Sequence, residues 1–272
     1  MNTFSEENRE RIMTLAQEIR FKHRAMEWGV PLSYLIKKEG LDYNEFNLNS
    51  KGFKAIIKKS YKKIVKIIKA ALLIKDKIVL IDTELHPKKK PFGKAHELGH
   101  HAIPEHREIL YVCSEHDLNP QTRREMEFEA NVFASEILFP SPLMDSIYKD
   151  YPVSMETILQ LANLSHASFH SAAIRYVVTS DKECCLLILE TDSIDEENEG
   201  LRLKRQIYSK SWWKKYGNLI RRDQFFPANH NLSLIVFSGN AEAIVKNTVR
   251  VRDLKFQVHT FYNNYNVFAL LF

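Results

Sequence analysis

Five consecutive residues, His96-Glu97-Leu98-Gly99-His100, carry the groups needed for metal-assisted hydrolysis. On a helix, positions i and i+4 project from nearly the same side, so His96 and His100 can bind one ion through their imidazoles. Glu97 sits one position on, where it can hold a water beside that ion without being a ligand, which is the place of a general base. The metal lowers the water's pKa from about 16 towards ~7 and polarises a carbonyl. Zn2+ is the expected cofactor, although histidine and carboxylate ligands also suit Mn2+ or another divalent ion. The bare pattern can also arise on an ordinary exposed helix, so its surroundings matter. Apolar Ala95, Leu98 and Ala102 supply a packing face, and small Gly99 lies inside the motif.

A catalytic zinc takes three protein ligands and keeps a fourth position open. A helix is predicted over 123–138, opened by Thr122-Arg123-Arg124-Glu125 as a capping box and stopped by Pro140. It offers Glu125, Glu127, Glu129 and Glu136, with Met126, Ala130, Phe133 and Ile137 as its apolar stripe. At about 100° per residue, Glu127 flanks that stripe, Glu129 falls on the opposite flank and Glu125 faces solvent. Glu127 is therefore the expected third ligand. Asn131, four positions on, is placed to orient a ligating histidine. His101, His106, Tyr111 and His116 could donate to an oxyanion; none is singled out, since a loop histidine is usually just solvated.

Several elements must position these groups. Residues 5–28 read as a helix ended by Gly29 and Pro31, and 52–73 as a second helix with a lysine face. The run 77–82 reads as a strand, followed by a basic loop and the motif helix from about 93 to 101, closed by Pro104. Residues 102–121 look irregular. Two shorter helices follow in 154–176, the second opened by Ser165. Beyond Ser180, the runs 184–190, 232–237 and 266–272 read as strands, with Trp212-Trp213-Lys214-Lys215 between the first two. The expected fold is α+β: a zincin-like metallopeptidase domain over 1–150, a helix-turn-helix-like segment over 151–179, and a C-terminal α+β domain over 180–272.

The 272-residue chain is long enough for about two modest domains, and 44% apolar residues can fill their cores. A net charge of +5 is too mild to imply nucleic acid. The second helix of the 154–176 pair holds one arginine and little else to read bases with, so direct DNA binding is not expected. Cys113, Cys184 and Cys185 make no disulfide framework and no Cys-x-x-Cys pair. The N-terminus lacks an apolar signal core, and the longest apolar stretch, 64–81, is interrupted by lysines. A cytoplasmic protein with no membrane span is expected.

The pair HELGHH and EFEANVFASEILFP (127–140) resembles the ImmA/IrrE family of zinc-dependent peptidases, over about residues 50–178. The resemblance implies that His96, His100 and Glu127 bind the metal and that Glu97 is the catalytic base. Members of that family cut small helix-turn-helix repressors, relieving repression of mobile-element or stress-response genes, and some carry a sensor-like C-terminal domain. The implied partner is thus a protein substrate of the repressor kind. The alternative is a metal-stabilised regulator that binds a repressor or DNA without cutting it; such a protein has no need of Glu97.

Overall fold

The computed structural model describes residues 5–47, 70–73, 77–112, 119–193, 199–221, 224–237 and 243–272. The lysine-faced helix expected from 52 lies mostly outside them. Its last expected turn does not form, because Ala70–Leu73 is a strand. The described chain is α+β and divides into two compact units, one of residues 1–143 with 164–168 and one of 144–163 with 169–272. Residues 144–163 and 169–179 thus group with the C-terminal region.

The first unit opens with α1 (Glu6–Lys22) and α2 (Leu32–Lys38). Ser5 caps α1, its hydroxyl accepting from the Asn8 amide at 3.1 Å. The helix stops short of Gly29 because Arg24 adopts φ +53°, and the Ala25 amide bonds back to the Arg20 carbonyl. This is a left-handed helix ending taken by arginine, a residue that gives no sign of it in sequence. Strands β1 (Asp42–Phe46), β2 (Ala70–Leu73) and β3 (Ile78–Asp82) form a sheet in the order β1-β3-β2. The central strand pairs parallel with β1 and antiparallel with β2, and Val79, Leu80 and Ile81 on it are buried.

A 3-10 turn at Pro87–Lys89 leads into α3 (Lys90–Ala102), which carries the histidine motif. Next comes α4 (Pro104–Val112), where an irregular segment was expected. Pro104 at its first position and Glu105 in its first turn are the start signals that the loop reading passed over. Helix α5 (Pro120–Leu138) begins two residues before the expected capping box: the cap is Asn119, whose Oδ1 accepts from the Gln121 amide at 2.8 Å. Its far end is tied down by polar contacts. Glu136, fully buried, accepts from Gln17 Nε2 at 2.8 Å and from the Ser141 amide and hydroxyl at 2.7 and 2.9 Å. The Arg20 guanidinium donates to the Ile137 carbonyl at 2.6 Å, filling one of the acceptors a helix end leaves open.

The second unit contains the body of α6 (Ser141–Asp150), nearly all of α7 (Met155–Leu164), and α8 (Phe169–Thr179). The last starts at Phe169, not Ser165, since His166 at φ +54° belongs to the turn. A six-stranded sheet follows in the order β6-β5-β4-β9-β8-β7, antiparallel throughout. Its strands are β4 (Cys185–Ser193), β5 (Glu199–Tyr208), β6 (Phe225–Pro227), β7 (Ile244–Val251), β8 (Leu254–Tyr262) and β9 (Val267–Leu271). Both faces of its centre are covered, which explains why 185–189 and 267–271 read as unbroken apolar runs. Cys185, Leu187, Leu189, Val267 and Ala269 share one core with Trp212 of α9 (Lys210–Tyr216) and Leu232 and Ile235 of α10 (Asn231–Phe237). Phe169 of α8 meets Phe261 and Phe268.

The run 232–237, expected as a strand, is helix α10. A six-residue apolar run has no decisive period, and here His230 settles the matter by accepting from the Leu232 amide at 3.1 Å. Among the described residues no helix is long and apolar enough to cross a membrane.

Candidate metal centre

Helices α3 and α5 pack closely, and Gly99 is what lets them. A Cβ at that position would sit 3.0 Å from Cδ1 and 3.3 Å from Cβ of Phe133. That approach brings one face of each helix to a common point. His96 Nε2 and His100 Nε2 lie 3.1 Å apart. Glu127 places Oε2 3.5 Å from the first and Oε1 3.7 Å from the second. Among the described residues these three form the one group of histidine, cysteine or carboxylate side chains with metal-ligand spacing.

The size of this triangle tests whether a metal fits. Three ligands on a tetrahedral zinc, with bonds near 2.05 Å, are separated by about 3.3 Å. The observed separations of 3.1, 3.5 and 3.7 Å bracket that value. The rest of each imidazole is also committed. His96 Nδ1 lies 3.1 Å from Asn131 Oδ1, and an amide oxygen only accepts, so His96 carries its proton on Nδ1 and turns a lone pair at Nε2 inward. Two inward lone pairs and a carboxylate make a donor set that suits a divalent ion.

The surrounding charges act in opposite directions on the two histidines. Burial works against a charge on His96, but Glu127 and Glu97, with a hydrogen bond to Asn131, hold it above its usual pKa. Burial, reinforced by the neighbouring His96 and His106, pushes His100 far down, so it is neutral and able to ligate. The hydrogen bond with His96 holds the Glu127 carboxyl below the usual carboxylate range. Glu97 is 7% exposed and follows the first of these histidines on α3.

The remaining candidates go elsewhere. Glu125 is half-buried and accepts from Gln121 Nε2 at 2.6 Å, and Glu136 serves the α5 terminus. Glu129 turns away from the triangle, but not to solvent. Its Oε2 lies 2.7 Å from His106 Nε2, and His106 Nδ1 lies 3.1 Å from His100 Nδ1. His106, on α4 and 1% exposed, is thus behind the site and not a donor in a loop. The side chains of Tyr111 and His116 lie outside the described residues. The signal that could have found His106 was the helix start at Pro104, which makes residue 106 part of an ordered element.

Comparison with known proteins is consistent with this geometry. A search of curated proteins gives no match. Among solved structures, a Mycobacterium tuberculosis transcriptional regulator has a similar fold, with a TM-score of 0.56 at 13% identity, covering 99% of this chain and 88% of the other. Residues 46–176 match the IrrE N-terminal-like domain, Peptidase_M78, a span that takes in α3, α5 and the whole triangle. That match identifies residues 46–176 as an IrrE N-terminal-like domain of the Peptidase_M78 metallopeptidase kind, and so supports membership of the ImmA/IrrE family.

Proposed function

We propose that this protein is a zinc-dependent endopeptidase that makes a limited cut in a helix-turn-helix transcriptional repressor and so relieves repression. The observation that carries the enzymatic part is the convergence of His96 Nε2, His100 Nε2 and the Glu127 carboxylate within 4.8 Å of one another. The family match over 46–176 and a neighbour described as a transcriptional regulator support the regulatory part.

His96, His100 and Glu127 would hold the zinc. Bound there, it supplies Lewis-acid chemistry, acidifying a water and polarising the scissile carbonyl. The chain's own work is to present and to move protons. Asn131 keeps the His96 proton on Nδ1, so that Nε2 stays available. Glu97 takes the proton from the attacking water on its carboxylate and delivers it to the leaving amine. Its burial favours this, since a carboxylate screened from solvent gives up and accepts protons without bulk water competing.

The test uses the purified chain with a panel of small helix-turn-helix repressors and with casein as an unfolded control. One zinc per chain and cleavage of a repressor at a single bond, with casein untouched, are expected. Glu97→Gln should keep the zinc and lose activity by about 10²- to 10⁴-fold, the usual contribution of a general base. Zinc content well below one per chain removes the enzyme reading. Full repressor binding without any cut, in parent and Glu97→Gln alike, replaces it with a regulator that sequesters its partner.

A further inference from the structure

We propose that His106 and Glu129 are positioning residues that fix the ligating form of His100, and that this relay is anchored on Asn8 in helix α1. The proposal rests on the reading of the triangle as a zinc site. His100 faces His96 with Nε2, while its Nδ1 lies 3.1 Å from His106 Nδ1. Two imidazole nitrogens at that separation share one proton, and the far end of the chain decides whose it is. His106 Nε2 is 2.7 Å from Glu129 Oε2. An ionised carboxylate only accepts, so the His106 proton is on Nε2 and its Nδ1 is an acceptor. His100 must then donate from Nδ1, which leaves the Nε2 lone pair directed at the metal position.

The relay continues past Glu129. Its second oxygen, Oε1, accepts from Asn8 Nδ2 at 2.6 Å. Asn8 is held in the first turn of α1 by the Ser5 cap at 3.1 Å, and its Oδ1 accepts from Arg11 Nε at 3.2 Å. The two ligating histidines are therefore oriented differently. Asn131 on α5 serves His96 directly, whereas His100 depends on α4, α5 and α1 in series. Docking of the first turn of α1 thus adds to metal affinity.

The experiment measures zinc affinity of the full-length protein by competition with a chromophoric chelator, alongside thermal melting of the metal-free form. His106→Ala should weaken zinc by about 10- to 100-fold, the usual cost of losing such a partner, and Glu129→Ala by a similar factor. Asn8→Ala should weaken it less, by under about 10-fold, because Glu129 keeps its bond to His106. The double variant His106→Ala/Glu129→Ala should be no weaker than His106→Ala, since the groups act in series. His106→Gln, which can accept from His100 and donate to Glu129, should recover most of the loss.

A His106→Ala protein that binds zinc within twofold of the parent overturns the proposal. So does one that melts lower without any change in affinity, which is what a purely structural histidine would give. Should His106→Ala fail to fold, Glu129→Gln and Asn8→Ala carry the test: unchanged affinity in both overturns it. A parent that binds no zinc refutes the metal-site reading instead, and a parent that binds zinc without cleaving refutes only the peptidase.

Discussion

Buried polar groups behave differently in the two compact units. In the C-terminal unit they serve the backbone of their own neighbourhood. Ser154 accepts from the Thr157 amide, Ser209 from the Trp212 amide, His259 from the Met155 amide, and the Ser233 hydroxyl donates to the Phe226 carbonyl. Each satisfies a single backbone amide or carbonyl. In the N-terminal unit the buried His100 and His106 and the partly buried His96, Glu127 and Glu129 come from three helices and face one another, with the exposed Asn131 at the rim. Burying several ionisable groups together costs stability unless they satisfy one another. A fold that does so around an ion-sized gap is spending stability on chemistry. The thiols of the second unit make the contrast sharper: burial pushes Cys184 up to about 11 and Cys185 higher still, which leaves almost no thiolate to act as a nucleophile.

The comparison can be broken at four points. His96→Ala removes one of the three proposed ligands. Zinc measured by atomic absorption should fall to background, while the near-ultraviolet dichroism of Trp212 in the other unit stays unchanged. Trp212→Ala is the converse. This fully buried ring packs on Tyr216 and Phe256, and its loss should cost about 3–5 kcal/mol in denaturant unfolding with zinc stoichiometry preserved. Loss of zinc in that variant would mean that the site depends on the second core.

Gly99→Val should cost less, about 1–3 kcal/mol, as Phe133 is forced aside. Unlike Trp212→Ala it should weaken zinc, because α3 and α5 move apart.

The smallest effect belongs to an outlying trio of the first unit, Lys22, His23 and Glu39. Burial would raise the Glu39 pKa, but hydrogen bonds from Lys22 and His23 outweigh it and hold the carboxyl low. A lowered folded pKa means stability that is present above about pH 4.5 and lost as pH falls through the folded value. Glu39→Gln should therefore be less stable at pH 7, by under about 1 kcal/mol, with the difference closing in acid. A difference that grows in acid would reverse this assignment.

Much of the site was legible because helical arithmetic is reliable over one or two turns. The i, i+4 spacing of the histidines and about 100° per residue along 123–138 were enough to bring Glu127 and Asn131 to the same side as His96. The same arithmetic turned Glu129 away from them but could not show what it meets, since His106 arrives from a helix whose placement is a tertiary fact. Misread elements had a common cause. Short apolar runs such as 232–237 lack a decisive period, and left-handed turns at Arg24 and His166 use residues that do not advertise them. The α+β character survived those errors, because the longer helices and the doubly covered strands declare themselves by length and pattern.

Helix α5 holds Glu127, Glu129 and Asn131 at alternate positions, and each reaches a different nitrogen environment. It works as a ruler with three marks. Deleting a single residue between the first and last marks would swing everything beyond it by about 100°, so that no local adjustment of rotamers could return Asn131 to its histidine. Over that stretch substitutions can be graded in their effects, whereas a change in length should be all or nothing.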